Sequence, residues 1–257
     1  MIRTIRLTWV GWALNMKSLT RSGLFIFTSV IEPLIFATLA YYLFKAGRTP
    51  GTLLYASLSA GLMGIWTSTL FGSGGVISWQ RWQGTLEPTV AAPPPLIMVL
   101  FPLTLATASI GLYSLTATLV WGRLAFGIPL RLAHPLTFVL AVPLTIVTLG
   151  ALGLVIGSTF VLYRNANALS NMLEFPVWLV TGALVPLALL PGWVHPLSWV
   201  LAPTWGFRAV RAAALGGDAW PALGWCVVLG IAYAFVAAYF IRVFEYRARV
   251  RATLSMT

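Results

Sequence analysis

Few residues in this sequence are of types that carry chemistry. The 257 residues include two histidines and one cysteine, and Asp and Glu together number only 5. His134 and His195 each precede a proline and lie far apart, whereas a zinc site needs more ligands at closer spacing. Both read as loop residues, and no metal site is expected. Cys226 stands alone inside an apolar run, which excludes an internal disulfide or a cysteine metal cluster and leaves packing as its role. Neither lysine, Lys17 or Lys45, follows a glycine, so there is no G-x-x-x-x-G-K-S/T phosphate loop. Gly72, Gly74 and Gly75 close an apolar run with no strand before them, and helix packing or a local kink accounts for them better than phosphate binding. The chain is not expected to be an enzyme, nor to hold a cofactor of its own.

Two acids fall inside apolar runs. Glu32 directly precedes Pro33. A carboxylate near the centre of a bilayer is costly to bury, so it must face protein or water. It either lines a substrate path or makes a structural hydrogen bond at the turn loosened by the proline, where freed backbone groups need partners. Glu174 is expected in the first turn of its run, near the cytoplasmic interface, in a headgroup or helix-start role. A dense set of intramembrane acids and bases, as in many proton-driven pumps, is missing, and no inverted repeat is evident.

The elements that must position these residues are membrane helices. Hydrophobic residues make up 59% of the chain and charged residues 8%, with a mean hydropathy of +0.90. A soluble domain carries about a quarter charged residues, and one of this composition would leave most of its surface apolar and aggregate. The formal net charge of +11 does not indicate nucleic acid, because basic residues cluster at the two ends: Arg3, Arg6, Lys17 and Arg21, then Arg242, Arg247, Arg249 and Arg251. Such clusters flanking apolar spans set topology and contact lipid headgroups. No apolar stretch near the start is followed by a small-residue cleavage site, so no signal peptide is expected.

A membrane helix needs roughly 20 apolar residues. Six stretches qualify, at about Ser22–Phe44, Thr52–Ile77, Leu96–Trp121, Leu136–Leu162, Asn171–Leu190 and Pro221–Ile241. They are too long and too uniform for barrel strands. With both termini cytoplasmic, the inside holds the eight terminal cations plus Arg81 and Arg164; the outside holds Lys45, Arg48, Arg123, Arg131, Arg208 and Arg211. That bias favours this orientation in the cytoplasmic (inner) membrane. Residues 1–21 carry a narrow stripe, Ile2, Ile5, Trp9, Trp12 and Met16, edged by Arg6 and Lys17, and predict an interfacial amphipathic helix. Residues 191–220 are too apolar for a loop and too broken by Pro191, Pro196 and Pro203 for a span. They predict two short re-entrant helices, with Trp193, Trp199, Trp205 and Trp220 in an interfacial belt. The whole chain, 1–257, is one all-α transmembrane domain in this reading. Gly153 and Gly157 form a G-x-x-x-G in the fourth span, which permits close packing inside the chain or, less readily, across a dimer.

The most polar passage between apolar runs is WQRWQGTLEPTVAAPPPLIMVL, residues 79–100. An N-terminal interfacial helix, six spans, and RWQGTLEPTVAAPPP between the second and third resemble the ABC-2-type permeases, membrane subunits of ATP-binding-cassette exporters. Arg81, Gly84, Thr85, Leu86, Glu87 and Pro93 occupy the places of that family's basic residue, Gly-Thr-Leu-Glu and proline. A second match, from Ser170 onward, is carried by Phe175, Pro176, Gly182, Pro186, Leu190, Pro191, Trp193, Pro203 and Arg211. IEPLIFATLAYYLF in the first span is similar to the branch containing nodulation-factor and drug-resistance permeases.

The resemblance implies that residues 79–95 form a cytoplasmic coupling segment docked on an ATPase subunit. Gly84 would let the chain turn sharply, Thr85 would cap a short helix with Glu87 in its first turn, and the prolines 93 to 95 would stiffen the return. The plain alternative is a polar loop with a tight turn. The resemblance also implies ATP and Mg bound by partner ATPase subunits, a second permease, surrounding lipid, and an amphipathic substrate: a drug, an antibiotic, a lipid or a lipid-linked glycan. A proton-coupled secondary transporter, or a membrane scaffold without an ATPase partner, is the competing class.

Overall fold

The computed structural model describes residues 2–21, 23–45, 50–84, 88, 95–162, 166–183 and 187–251. Among these there is no strand. The helices are α1 (Ile2–Arg21), α2 (Gly23–Lys45), α3 (Pro50–Trp82), α4 (Ile97–Phe126), α5 (Pro135–Leu162), α6 (Ala166–Val180), α7 (Val194–Val200), α8 (Ala202–Leu215) and α9 (Trp220–Arg251), with a 3-10 turn at Leu187–Leu189.

Among the described residues, four helices contain stretches long and apolar enough to cross a membrane: Leu53–Gly74 of α3, Ile97–Phe126 of α4, Pro135–Thr159 of α5 and Trp220–Val243 of α9. They coincide with the predicted second, third, fourth and sixth runs. α2 covers the predicted first run. The predicted fifth run, Asn171–Leu190, is displaced. Its helix begins earlier, at Ala166, and stops at Val180, so its 15 residues rise only about 22 Å. The stop is a glycine device. Gly182 has φ 72°, its N–H donates to the Leu179 carbonyl, and the Ala183 N–H donates to the Trp178 carbonyl at 3.0 Å. This pattern ends a helix whatever the hydropathy of the residues beyond it.

α7 and α8 fall within the segment predicted to hold two short helices. They meet at Leu201, which is extended at φ −87° and ψ 120°, and Pro203 sits in the first turn of α8, where its missing N–H is harmless. α8 packs on α5 and α9 and reaches α3. α1 lies against α4: the Trp12 Nε1–H donates to Ser109 Oγ at 3.1 Å, while Trp9 is exposed, as are Arg6 and Lys17.

The core is organised around α3, which packs against α2, α4, α5, α6 and α8 and most extensively against α4. That last approach is too close for side chains at several points. A Cβ on Gly111 of α4 would lie 2.5 Å from the Ile65 Cα, and one on Gly64 would lie 2.5 Å from the Ser114 Cβ. Gly111→Ala is therefore expected to destabilise the chain by about 1–3 kcal/mol through overpacking against backbone. Gly224→Ala, in open space on α9, should not lower stability. Thermal unfolding of both variants in detergent checks this.

Candidate functional site

Three helices each present one face to a cavity of about 390 Å³. α2 contributes Ser29, Glu32, Pro33 and Phe36; α3 contributes Gly64, Thr67, Ser68 and Phe71; α6 contributes Asn171, Glu174 and Trp178, with Ser114 of α4 completing the wall. The spacings of three, four and seven within α3 and α6 are those of a single helical face. Glu32 and Glu174 thus line one space.

Glu174 is not near a helix start. Because α6 begins at Ala166, it sits in the third turn, 6% exposed, and its Oε1 accepts the Thr67 hydroxyl at 2.8 Å. The expected headgroup or first-turn role does not match this placement. The polar residues Asn167, Ser170 and Asn171, which interrupt the apolar run in sequence, lie inside the helix.

At Glu32 the proline settles a question of accounting. Pro33 has no N–H, so the carbonyl four residues back, that of Ser29, loses its helical donor. The Ser114 hydroxyl of α4 donates to that carbonyl. The freed group is therefore satisfied from a neighbouring helix and does not call on Glu32, whose ionised carboxyl could only accept. Among the described residues Glu32 makes no hydrogen bond and neither glutamate is paired with a cation. The Trp178 Nε1–H is likewise buried without a partner, and its ring meets Phe36 edge-on at 5.1 Å between centroids. Thr67, Ser114 and Trp178 were not singled out by the sequence; only the missing donor at Pro33 signalled that a hydroxyl from another helix was needed.

A second polar knot lies where α6 ends. The Arg211 guanidinium of α8 donates through Nη1 to the Gly182 carbonyl at 2.7 Å and through Nη2 to Ser59 Oγ at 2.9 Å and to the Ala183 carbonyl at 3.3 Å. It lies 4.3 Å from the centroid of the Tyr55 ring, whose hydroxyl donates to the same Gly182 carbonyl. A cation at a helix C-terminus meets the negative end of the dipole. Burial lowers the Arg211 pKa to about 10, which leaves it charged at neutral pH. Gly182 and Arg211, two places of the second sequence match, are thus in direct contact.

Of the predicted coupling residues, Arg81 lies in the last turn of α3, and Gly84 follows with φ 68°, exposed and with open space around it. Thr85, Leu86 and Glu87, with Pro93 and Pro94, lie outside the described residues. Gly153 of α5 packs within the chain, where a Cβ would come 2.9 Å from Thr69 Cγ2 of α3. Gly157 is buried on the same helix.

A helical bundle with four membrane-length helices among its described residues, and a carboxyl-bearing cavity walled by α2, α3, α6 and Ser114 of α4, defines a multi-pass membrane protein. The family model described as ABC-2 type transporter matches residues 6–215, most of the chain, and the protein belongs to that family. It is accordingly a permease subunit of an ABC transporter, a class that works with ATP-binding-cassette partner subunits. No curated protein matched the chain.

The Arg211 fork predicts an intolerance to lysine. A single ammonium cannot reproduce its spread of donors, so Arg211→Lys should cost about 1.5–3 kcal/mol, the value of a hydrogen bond to a charged group. Thermal unfolding of the purified chain reads this directly.

Proposed function

We propose that this chain forms, together with a second permease, the membrane path of an ABC exporter for an amphipathic substrate, driven by two separate ATPase subunits that bind ATP and Mg. The carrying observation is the cavity between α2, α3 and α6, in which Glu32 has no partner among the described residues while the Ser29 backbone carbonyl nearby is already satisfied. A carboxyl kept in such a place without a structural task is available to a substrate or to water. Phe36, Phe71 and Trp178 offer apolar contact in the same space, and a few polar groups in an apolar pocket suit an amphipathic ligand.

In this reading α2 to α6 and α9 are the six membrane segments, α6 is the short one, and α7 and α8 are re-entrant at the outer face. α1 lies in the inner interface with both termini cytoplasmic. Residues 79–95 then meet the ATPase. The mechanical argument rests on α3, a continuous helix of 33 residues that carries Gly64 and Thr67 of the cavity wall and ends one turn after Trp79. A push delivered at Arg81 and Gly84, with Thr85, Leu86 and Glu87 in the docked segment, moves the cavity wall because a helix does not absorb axial displacement. One observation favours the alternative of a proton-coupled transporter: Glu32 and Glu174 share one cavity, as members of a proton relay would.

The test is reconstitution of the chain with the ATPase subunits that co-purify from its native source, followed by substrate transport in vesicles. Glu32→Gln should assemble normally and keep basal ATPase activity while losing about tenfold or more in transport, the scale of one charged hydrogen bond. Full transport by that variant removes the substrate role of Glu32. Transport driven by a proton gradient, without ATPase subunits, would establish the alternative. Gly84→Val places a β-branched residue at positive φ; it should weaken co-purification of the ATPase or uncouple hydrolysis from transport, and unaltered coupling would sink the role of residues 79–95.

A further inference from the structure

A second cavity, of about 550 Å³, opens between the end of α6 and the α7–α8 pair. Among the described residues its lining holds no acid, and two guanidiniums, Arg208 and Arg211, line it. The Arg211 Nη atoms are engaged by α3 and α6, but its Nε is buried and has no hydrogen-bond partner. One face of α8 continues the pattern. Thr204, seven residues before Arg211, is 4% exposed with its hydroxyl unpartnered, and Arg208, midway between them, is exposed and forms no ion pair among the described residues. The Arg208 guanidinium is 5.8 Å from the centroid of the Trp205 ring. His195 of α7 adds a further imidazole to the lining.

With no carboxylate in its described lining, the guanidinium charge of this cavity calls for an occupant rich in acceptor oxygens. Two uncompensated cations specify that it be anionic. Tetrahedral phosphate, which accepts from several directions and pairs with guanidinium groups, meets both demands. Trp199, also lining the cavity, is 59% exposed beside exposed Leu197 and Val200, so the mouth opens onto apolar surface where an acyl chain can lie. From these features we propose that this cavity is a binding site for the phosphate group of an anionic amphiphile, with Arg208 as its contact and Arg211 as the fixed cation behind it. The proposal is independent of the substrate path through Glu32 and stands or falls separately from it.

The full-length chain, purified in non-ionic detergent, is incubated with phosphatidylglycerol or phosphatidylcholine and the retained lipid is counted by native mass spectrometry. The unsubstituted chain should retain phosphatidylglycerol in preference to phosphatidylcholine. Arg208→Gln should lower that retention about tenfold, as expected for one charged contact, with thermal unfolding unchanged because Arg208 makes no hydrogen bond among the described residues. Retention that survives excess inorganic phosphate assigns the site to the lipid. Displacement by inorganic phosphate, lost in Arg208→Gln, assigns the same chemistry to the free ion. An undiminished preference for phosphatidylglycerol in Arg208→Gln, or no preference in the unsubstituted chain, overturns the proposal.

Discussion

The bundle depends on one constraint, the encirclement of α3. Five helices touch it, and a helix can be surrounded in this way only if its own surface is small. In lipid there is no hydrophobic gain from bringing apolar helices together, so association comes from close van der Waals contact and from hydrogen bonds. α3 supplies both. Gly61, Gly64 and Gly72 admit α4 to contact distance, and Thr69 packs on Gly153 of α5. Thr67 donates to Glu174 of α6, and Ser59 accepts from Arg211 of α8. These last two anchor points are eight residues, or about 12 Å, apart along one helix. The two polar regions of the molecule are thus fixed to the same rod.

Glu174 and Arg211 are each held by neutral groups, among them a hydroxyl of α3. Arg211 is met by carbonyl dipoles and a hydroxyl, Glu174 by a hydroxyl, and no described charge neutralises either of them. Glu32 is the exception that gives the cavity its character. Its neighbour Pro33 creates a need that a carboxylate cannot meet, and a serine from α4 meets it. What remains at Glu32 is an acid with no role in holding the fold, in a space walled by aromatic rings.

Much of the architecture was legible in composition. Long apolar runs without charge can only be helices in a membrane, and the four longest apolar stretches fall where hydropathy places them. The error at α6 has a local cause. Hydropathy reads residues 183–190 as a continuation of the span and leaves residues 167–170 outside it, whereas Gly182 terminates the helix and Asn and Ser are tolerated within it. A shift of about one turn and a half moved Glu174 from an apparent helix start to the middle of a packed interface. The pairing of Glu32 with Glu174 left no local mark, since each belongs to a different run and only tertiary packing brings them into one cavity. Gly182 and Arg211 were both visible as members of a pattern. Their contact was not, because spacing along a chain says nothing of a guanidinium reaching back across a turn.

That contact explains how a helix of 15 residues can end inside an apolar bundle. A helix terminus leaves carbonyls without donors, and away from water each is costly to bury unsatisfied. At the end of α6 the reversal through Gly182 uses the Trp178 and Leu179 carbonyls. Arg211 and Tyr55 take the Gly182 carbonyl, and Arg211 takes that of Ala183. With the terminus satisfied from α3 and α8, the chain is free to leave the bundle early and to fold the following segment as short helices. The same arginine that makes this possible has only its Nη groups committed. No described acid neutralises it, so the device that ends α6 also leaves a cation at the back of a pocket whose described lining holds no carboxylate.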